Sequence, residues 1–167
     1  MYFNLLFTGM IRNINYRGRV AAKDLVQIDF KNVICGPPPH QKIIPLSSGK
    51  LIVFSSGKCR VMGLREPLHS SDDQRLPFQI NDLQIQSVTA VLNLGFTVNL
   101  IRLARSISSC SYEPEIFPAV RLTEFNPICV NVFGSGKVVI MGLKSITDGW
   151  ESLVNDVITN IKAADSH

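Results

Sequence analysis

Two Ser-Gly-Lys triplets, Ser56–Lys58 and Ser135–Lys137, are the residues whose type and spacing come nearest to a known chemistry. A glycine followed by a lysine is the core of a P-loop, in which backbone N–H groups and the lysine hold phosphate oxygens. A P-loop also needs a Ser or Thr directly after the lysine, but Cys59 and Val138 occupy those positions. We therefore interpret both triplets as tight hairpin turns in which the glycine adopts a positive φ.

Cysteines, histidines and acidic residues form no catalytic or metal-binding pattern. No two cysteines are two residues apart, and no histidine lies at zinc-site distance from a cysteine. The pair Asp72-Asp73 is interpreted as a solvated turn, and His40 as a loop residue beside prolines. The sequence thus predicts a protein that is not an enzyme and holds no metal or cofactor. Reduced thiols of an intracellular protein are expected at all four cysteines: Cys35, Cys59, Cys110 and Cys129.

Composition narrows the class of protein further. The chain has 167 residues, of which 46% are hydrophobic and 18% charged, and this apolar content excludes a disordered chain. No run of residues reaches the roughly 18 consecutive apolar positions of a membrane span, so no membrane partner is expected. The net charge of +4 is compatible with a polyanionic partner without requiring one.

An internal repeat indicates which elements position the two turns. When the chain is shifted by 79 residues, Ile52–Leu64 lies over Asn131–Leu143, and 8 of the 13 positions are identical. Each copy consists of an apolar strand, a Ser-Gly-Lys turn and a second apolar strand. The sequence therefore predicts a duplicated unit, with repeat 1 over residues 1–80 and repeat 2 over residues 81–167.

The remaining elements follow from hydrophobic periodicity. Repeat 1 predicts a strand over 4–14 and a helix over 17–27, whereas the proline-rich segment 35–39 and the polar segment 66–81 leave no long helix. Alternating strands and helices in this order favour an α+β fold, an antiparallel sheet with helices on one face. Repeat 2 is more regular and predicts strands over 83–93, 120–122 and 128–133, with helices over 99–107 and 146–161.

The runs Tyr112–Ala119 and Val132–Lys144 resemble the second repeat of the TATA-box-binding protein family. Phe54–Lys58 resembles the matching hairpin of the family's first repeat, and Asp82–Ser87 is similar to the opening strand of its second. The resemblance implies a saddle of two pseudosymmetric repeats that form one curved antiparallel sheet with helices on the convex face. In this family the concave face binds the DNA minor groove, and apolar side chains wedge between base steps.

The resemblance also implies roles for individual residues. No phenylalanine aligns with one of the family's wedges, because the chain reads Gly36–Gln41 there. Intercalation into DNA is expected from Phe54, Phe117 and Phe133. Groove contacts are expected from Asn4, Ile52, Arg60, Met62, Ser87, Thr89, Pro118, Asn131, Val139 and Met141. Phosphate contacts are expected from Ser56, Lys58, Arg65, Ser135, Lys137 and Lys144.

Several groove positions depart from the family's pattern. Met62 and Met141 stand where the family has threonines, and Arg60 stands where it has an aliphatic residue. Of the family's central pair of asparagines only Asn4 remains, because Ser87 replaces the other. An arginine at such a place can enter a narrow A·T-rich groove, bond a phosphate, or face solvent in a protein that does not bend DNA. The preferred DNA sequence is therefore left open.

The loop around Glu113, Glu115 and Ile116 matches the edge by which the family contacts transcription factor IIB, so a factor IIB-like partner is expected. The family's factor IIA contact uses a first-repeat loop that prolines replace here, which leaves a factor IIA-like partner open. The resemblance thus implies a transcription initiation factor that binds and bends double-stranded, A·T-rich promoter DNA.

The expected location is the nucleus, or a cytoplasmic replication factory for a virus-encoded chain. Two alternatives remain at this stage. One is a non-bending regulator that competes for factor IIB-like partners. The other is the substrate-gripping domain of a nuclease or glycosylase, which the lack of a recognisable catalytic segment disfavours.

Overall fold

The structure is a computed structural model that describes residues 10–30, 40–70, 73–145 and 150–165. These residues form two compact units. The first-repeat unit contains residues 12–87, and the second-repeat unit contains the residues from 88 onward together with residues 10 and 11. Strand β5 begins at Ile80, the end of predicted repeat 1, and continues from the first unit into the second. Among the described helices, none combines the length and apolarity needed to cross a membrane.

The first-repeat unit is an antiparallel sheet with one short helix. Its elements are β1 (Ile11–Val20), α1 (Ala22–Leu25), β2 (Gln41–Pro45), β3 (Lys50–Phe54), β4 (Lys58–Leu64) and the first part of β5 (Ile80–Asn93). The strands are hydrogen-bonded in the order β2-β3-β4-β1-β5. Between residues 65 and 79 the described residues form turns and no helix, as the polar composition of this segment predicts.

The predicted first strand and helix are wrong in their bounds. β1 continues to Val20 and α1 is a single turn, so most of the predicted helix over 17–27 is extended or irregular. The reason is period-two burial: Tyr16 and Val20 are buried, whereas Arg17 and Arg19 between them are exposed. Residues 1–9, which include most of the predicted strand over 4–14, lie outside the described residues.

The second-repeat unit contains the predicted elements in the predicted order and, in addition, a two-residue strand that was not predicted, Cys110–Ser111. They are the second part of β5, α2 (Leu100–Ser106), β6 (Cys110–Ser111), β7 (Ala119–Leu122), β8 (Cys129–Phe133), β9 (Lys137–Leu143) and α3 (Trp150–Asp165). The strand order is β5-β9-β8-β7-β6. The side chain of Asn99 caps α2 by accepting a hydrogen bond from the Arg102 N–H at 3.0 Å, which places the start of this helix where the periodicity predicts it.

Both Ser-Gly-Lys triplets form the predicted turns. Gly57 and Gly136 have φ values of 88° and 86°. Each glycine N–H donates to the carbonyl of the phenylalanine that ends the preceding strand, at 2.8 Å for Phe54 and 3.0 Å for Phe133. This is a three-residue hairpin loop that needs a left-handed residue at its last position. The turns therefore hold the two lysines, Lys58 and Lys137, at the first position of the outgoing strands.

One side of each sheet forms the core of its unit. In β3 and β4, Leu51, Val53 and Val61 are 0% exposed, whereas Ile52 is half-buried and Arg60 is exposed. Each such side chain contributes roughly 1.5–3 kcal/mol by its burial, so this alternation determines which side faces inward. The second unit repeats the pattern, with helix residues completing its core: Val130, Val132, Val138, Ile140, Leu103, Val157 and Ile161.

Candidate nucleic-acid interface

The side of each sheet opposite its core is called here the open face. Strand alternation places on it residues that are half-buried or exposed while their chain neighbours are fully buried. Several predicted groove residues of both repeats therefore belong to it: Ile52, Arg60, Met62, Val139 and Met141. On each open face, apolar side chains such as Ile52 and Val139 are only half-buried among the described residues, which suits a minor-groove binder.

Two aromatic rings stand together on the open face of the second unit. The ring centroids of Phe117 and Phe133 are 5.7 Å apart, and the rings meet edge to face at 71°. Phe117 is 38% exposed, and its N–H donates to the Glu113 carbonyl at 2.9 Å, which fixes the ring just beyond the turn. Edge-to-face pairs of this kind are worth about 0.5–1.5 kcal/mol beyond their burial, so each ring helps to position the other.

Phe54 occupies the matching place in the first unit. It pairs with Gln41 on the neighbouring strand, as Phe133 pairs with Ala119. This register makes residue 39 the counterpart of Phe117, and residue 39 lies outside the described residues. Phe54 is half-buried, as Phe133 is.

The strand register assigns a new counterpart to Ser87. A bulge puts Ile14 opposite Leu64 in the first unit, and the same bulge puts Val88 opposite Leu143 in the second. Ser87 therefore corresponds to Asn13, whereas the predicted residue Asn4 lies outside the described residues.

Amide groups cluster around this bulge in the first unit. The Gly63 N–H donates to the Oδ1 atoms of Asn13 and Asn15, at 3.0 and 3.2 Å. The Asn15 amide in turn donates to the Ser87 hydroxyl at 3.2 Å. Gly63 has a φ of 81°, a conformation that a residue with a side chain rarely adopts. The predicted groove residue Ser87 is thus positioned by the bulged strand.

The predicted phosphate contacts lie at the turns or just after β4 and β9. All six of them are exposed: Ser56, Lys58, Arg65, Ser135, Lys137 and Lys144. In the second turn the Lys137 N–H donates to the Ser135 hydroxyl at 3.4 Å. Exposed cations at matched positions of two repeats suit the phosphates that border a groove.

Three other predicted groove residues differ in accessibility. Pro118 is exposed and Thr89 is half-buried. Asn131 is only 3% exposed, and its Oδ1 atom lies 3.7 Å from the sulfur of Cys129. Asn131 therefore offers little surface to a ligand in this conformation, although its register partner Val139 is more accessible.

Two arginines on the open face were not predicted as site residues. Arg17 lies directly opposite Arg60, and Arg19 lies opposite Lys58. The guanidinium of Arg17 donates to the Gln84 side chain at 3.0 Å. The helix predicted over 17–27 hid these residues, but the alternation of Tyr16, Arg17, Gly18, Arg19 and Val20 is a strand signal that could have revealed them.

Two groups among the described residues, Asp73 and Cys59, have surroundings that do not suit catalysis. Asp73 is not a solvated turn residue: its side chain is 8% exposed and pairs with Arg75 at 2.7 Å. This pairing lowers the pKa of Asp73 well below its usual range. Burial raises the pKa of the Cys59 thiol to about 11, which makes it a poor nucleophile. Within the described ranges, no cluster of His, Cys, Asp or Glu has the arrangement of a metal site.

The loop predicted to bind a partner is a short exposed turn. The Ile116 N–H donates to the Glu113 carbonyl at 2.9 Å, which closes the turn around Pro114. Glu113 and Glu115 are exposed, and Ile116 is 79% exposed. An exposed isoleucine next to Glu115 in the chain gives this loop an apolar side chain beside acidic ones.

Comparisons with known proteins agree with this arrangement. A model of the family described as "Transcription factor TFIID (or TATA-binding protein, TBP)" matches residues 82–162. The TATA-box-binding protein of Pyrococcus abyssi is 32% identical over 134 residues, which cover 75% of this chain and 68% of that protein. That of Methanocaldococcus jannaschii is 33% identical over 115 residues, which cover 62% of this chain. This chain spans 63% of the length of that relative.

A solved structure matches most of the chain. "Methanococcus jannaschii TBP" superposes with a TM-score of 0.68 at 26% identity, covering 92% of this chain and 98% of that one. The predicted α+β fold of two similar antiparallel repeats is thereby confirmed. The chain belongs to the TATA-box-binding protein family. This is a family of transcription factors and not of enzymes, in agreement with the prediction from the sequence.

Proposed function

We propose that this chain is a transcription initiation factor that binds A·T-rich promoter DNA in the minor groove and bends it. The observation that carries the proposal is the ring pair Phe117 and Phe133, which stands on an open face beside an exposed lysine turn. A ring that is 38% exposed forfeits hydrophobic free energy unless something covers it. The flat faces of unstacked bases can cover these rings. Rings inserted between base steps kink the duplex.

In this proposal the charged residues provide affinity, and the apolar face provides preference for deformable DNA sequences. Lys58 and Lys137 contact phosphates and supply affinity that falls as salt rises, with a slope of about −0.9 per neutralised phosphate. The apolar open face reads the deformability of the sequence, because A·T and T·A pairs show nearly the same acceptors in the minor groove.

The loop at Glu113, Glu115 and Ile116 is the proposed docking site for a factor IIB-like protein. The exposed Ile116 provides an apolar anchor, and the two carboxylates favour a basic partner surface. The proposed place of action is the compartment in which promoters are transcribed, which is the nucleus or, for a virus-encoded chain, a cytoplasmic replication factory.

A non-bending regulator is the second candidate function. It is favoured by the four cations Arg17, Arg19, Lys58 and Arg60 on the first unit, because charged side chains do not suit a face laid against unstacked bases. Such a protein would keep the partner loop and compete for factor IIB-like proteins without kinking DNA.

A bend assay separates the two functions. Fluorescence energy transfer between the ends of an A·T-rich duplex rises on binding if the duplex bends, and the double variant Phe117→Ala with Phe133→Ala abolishes the rise. The matched control, Val26→Ala with Ile101→Ala, removes two exposed apolar side chains from other places and leaves the transfer unchanged. Unchanged transfer on binding of the wild-type protein would refute bending and support the regulator.

A further inference from the structure

The two open faces differ in charge at positions that correspond by register. In the first unit Arg17 faces Arg60 and Arg19 faces Lys58 across neighbouring strands. The equivalent pairs in the second unit are Val91 with Val139 and Asn93 with Lys137. Four cations thus stand where the second repeat has one.

These cations repel one another and have little compensation within the protein. Like charges directly opposite on neighbouring strands are destabilising. In the described part of the chain no ion pair involves Arg17, Arg19, Lys58 or Arg60, and the hydrogen bond of Arg17 is to the neutral amide of Gln84. An arrangement that costs stability in the protein alone indicates an anionic ligand.

The four cations border a common depression of about 650 Å³ on the first unit. Gln84, Gln86, Phe54 and Ser56 also line it, and Asp82 is the single carboxylate among its described lining residues. The depression therefore combines a strongly positive potential with amide groups that can donate hydrogen bonds and a ring that provides an apolar wall.

The position of the arginines on the sheet selects among anionic ligands. Lys58 sits at the turn, where phosphates are expected, but Arg17 and Arg60 lie on the central strands β1 and β4, away from the turn. A duplex presents acceptors on the floor of its minor groove, and a narrow A·T-rich groove concentrates negative potential that attracts arginine. An opened groove with unstacked bases lacks that potential and would leave the guanidinium groups dehydrated and unpaired.

We infer that Arg17 and Arg60, aided by Arg19 and Lys58, bind a narrow, unopened A·T-rich minor groove, so that DNA is wedged open by the second repeat alone. The inference rests on the proposed function, since it assumes that the open faces bind DNA. It assigns Phe54 to the wall of the arginine site instead of to a base step, which differs from the role that the family resemblance implies for this ring.

Measuring base unstacking with the wild-type protein and with variants tests whether the second repeat alone wedges the DNA open. The probe is an A·T-rich duplex that carries 2-aminopurine, a base that fluoresces more when unstacked, at both ends of the binding site. At protein concentrations that saturate the duplex for each variant, the full chain raises the fluorescence, Phe117→Ala with Phe133→Ala abolishes the rise, and Phe54→Ala leaves it unchanged. Because both ends are labelled, the result does not depend on the orientation in which the protein binds.

Salt dependence of binding to the same duplex tests the arginines. Arg17→Ala with Arg60→Ala lowers the slope of log affinity against log salt by about 1.8, which is two cations at about 0.9 each. The matched control, Lys23→Ala with Arg105→Ala, removes two exposed cations that lie on helices α1 and α2 and leaves the slope unchanged. A double-stranded RNA of the same sequence, which has a wide and shallow minor groove, binds at least about tenfold more weakly.

The outcomes distinguish failure of the inference from failure of the function. A wild-type protein that binds the duplex and loses about half of the fluorescence rise with Phe54→Ala would overturn the inference and leave the proposed function intact. Equal affinity for RNA, or an unchanged salt slope in the arginine variant, would also overturn it. A wild-type protein that does not bind the DNA duplex at all would overturn both.

Discussion

The two repeats have similar backbone conformations in their hairpins and differ in the side chains on their open faces. Their hairpins match in turn type, in the phenylalanine before the turn, and in the bulge that follows, with φ values of 81° at Gly63 and 84° at Gly142. At matching positions the open face of the second unit carries two valines, an asparagine and one lysine, whereas that of the first carries four cations. Duplicated geometry therefore does not imply duplicated chemistry, because exposed positions can change without altering the alternation that builds the core.

Introducing the arginines of the first repeat at the matching positions of the second is expected to have the largest effect on DNA bending. Val91→Arg with Val139→Arg places two guanidinium groups on the open face of the second unit, which also carries Phe117 and Phe133, the rings proposed to wedge DNA open. We expect loss of the bend measured by energy transfer, because these groups would have to be desolvated against unstacked bases. The control Val91→Leu with Val139→Leu keeps the face apolar and retains the bend. Full bending by the arginine variant would show that the two faces are interchangeable.

The next largest effect is expected from substituting the two turn glycines, Gly57 and Gly136. The two substitutions should lower the free energy of unfolding by different amounts. A Cβ added at Gly136 would overlap the carbonyl of Phe96, whereas one added at Gly57 would meet only the end of the Leu25 side chain at 3.3 Å. Positive φ alone costs alanine about 1–2 kcal/mol.

We therefore expect Gly57→Ala to lower the free energy of unfolding by about that amount, and Gly136→Ala to lower it by at least about 3 kcal/mol, since backbone must move. Urea unfolding followed by circular dichroism measures both variants. Equal losses for the two variants would contradict the difference in their surroundings.

An acid-sensitive contact belongs to the first unit. The Asp73 carboxylate pairs with Arg75, which also donates to the Pro67 carbonyl at 2.6 Å, and the pairing lowers the pKa of Asp73 below the unfolded value of 3.8. A depressed folded-state pKa gives stability that is fully present above the unfolded pKa and is lost as pH falls below it.

We expect the difference in unfolding free energy between wild type and Asp73→Asn to shrink as pH falls from 5 to 2, by about a kcal/mol or more. Thermal unfolding at each pH measures it. A difference that stays constant over this range would mean that the carboxylate charge does not contribute.

The smallest expected effect concerns thiol chemistry. Cys59 is 2% exposed and burial raises its pKa to about 11, so it stays unmodified by iodoacetamide at pH 8 in the folded protein. Unfolding in urea makes it reactive, which serves as the internal control. Mass spectrometry of the peptide that contains Cys59 reports the extent of modification, and rapid labelling of the native protein would reveal opening of the first unit.

Much of the fold could be predicted because the hairpin sequence occurs twice in the chain. The spacing from Phe54 to Gly57 and from Phe133 to Gly136 defines the turn, and alternation of apolar residues defines the strands on either side. Helix α2 was predictable because Asn99 supplies a cap just before an apolar periodic segment.

The start of the first unit could not be placed by the same reasoning. Alanines and charged residues around Arg19 and Lys23 are good helix formers, and pairing with β4 and β5 makes the segment up to Val20 a strand. The misplaced strand led to Asn4 as the counterpart of Ser87, whereas the register gives Asn13. The paired residues of β1 and β4 are 39 to 50 positions apart in the sequence, so the hydrophobic periodicity of one segment cannot reveal the pairing.

Among the described strands, β2 and β6 lie at the two ends of the strand order and are both short. β6 has two residues, and β2 has five, of which the last is Pro45. Neither offers the long row of unpaired N–H and C=O groups onto which another chain could add a strand, and proline lacks the donor altogether. Addition of a strand from another molecule at these two strands is thereby discouraged.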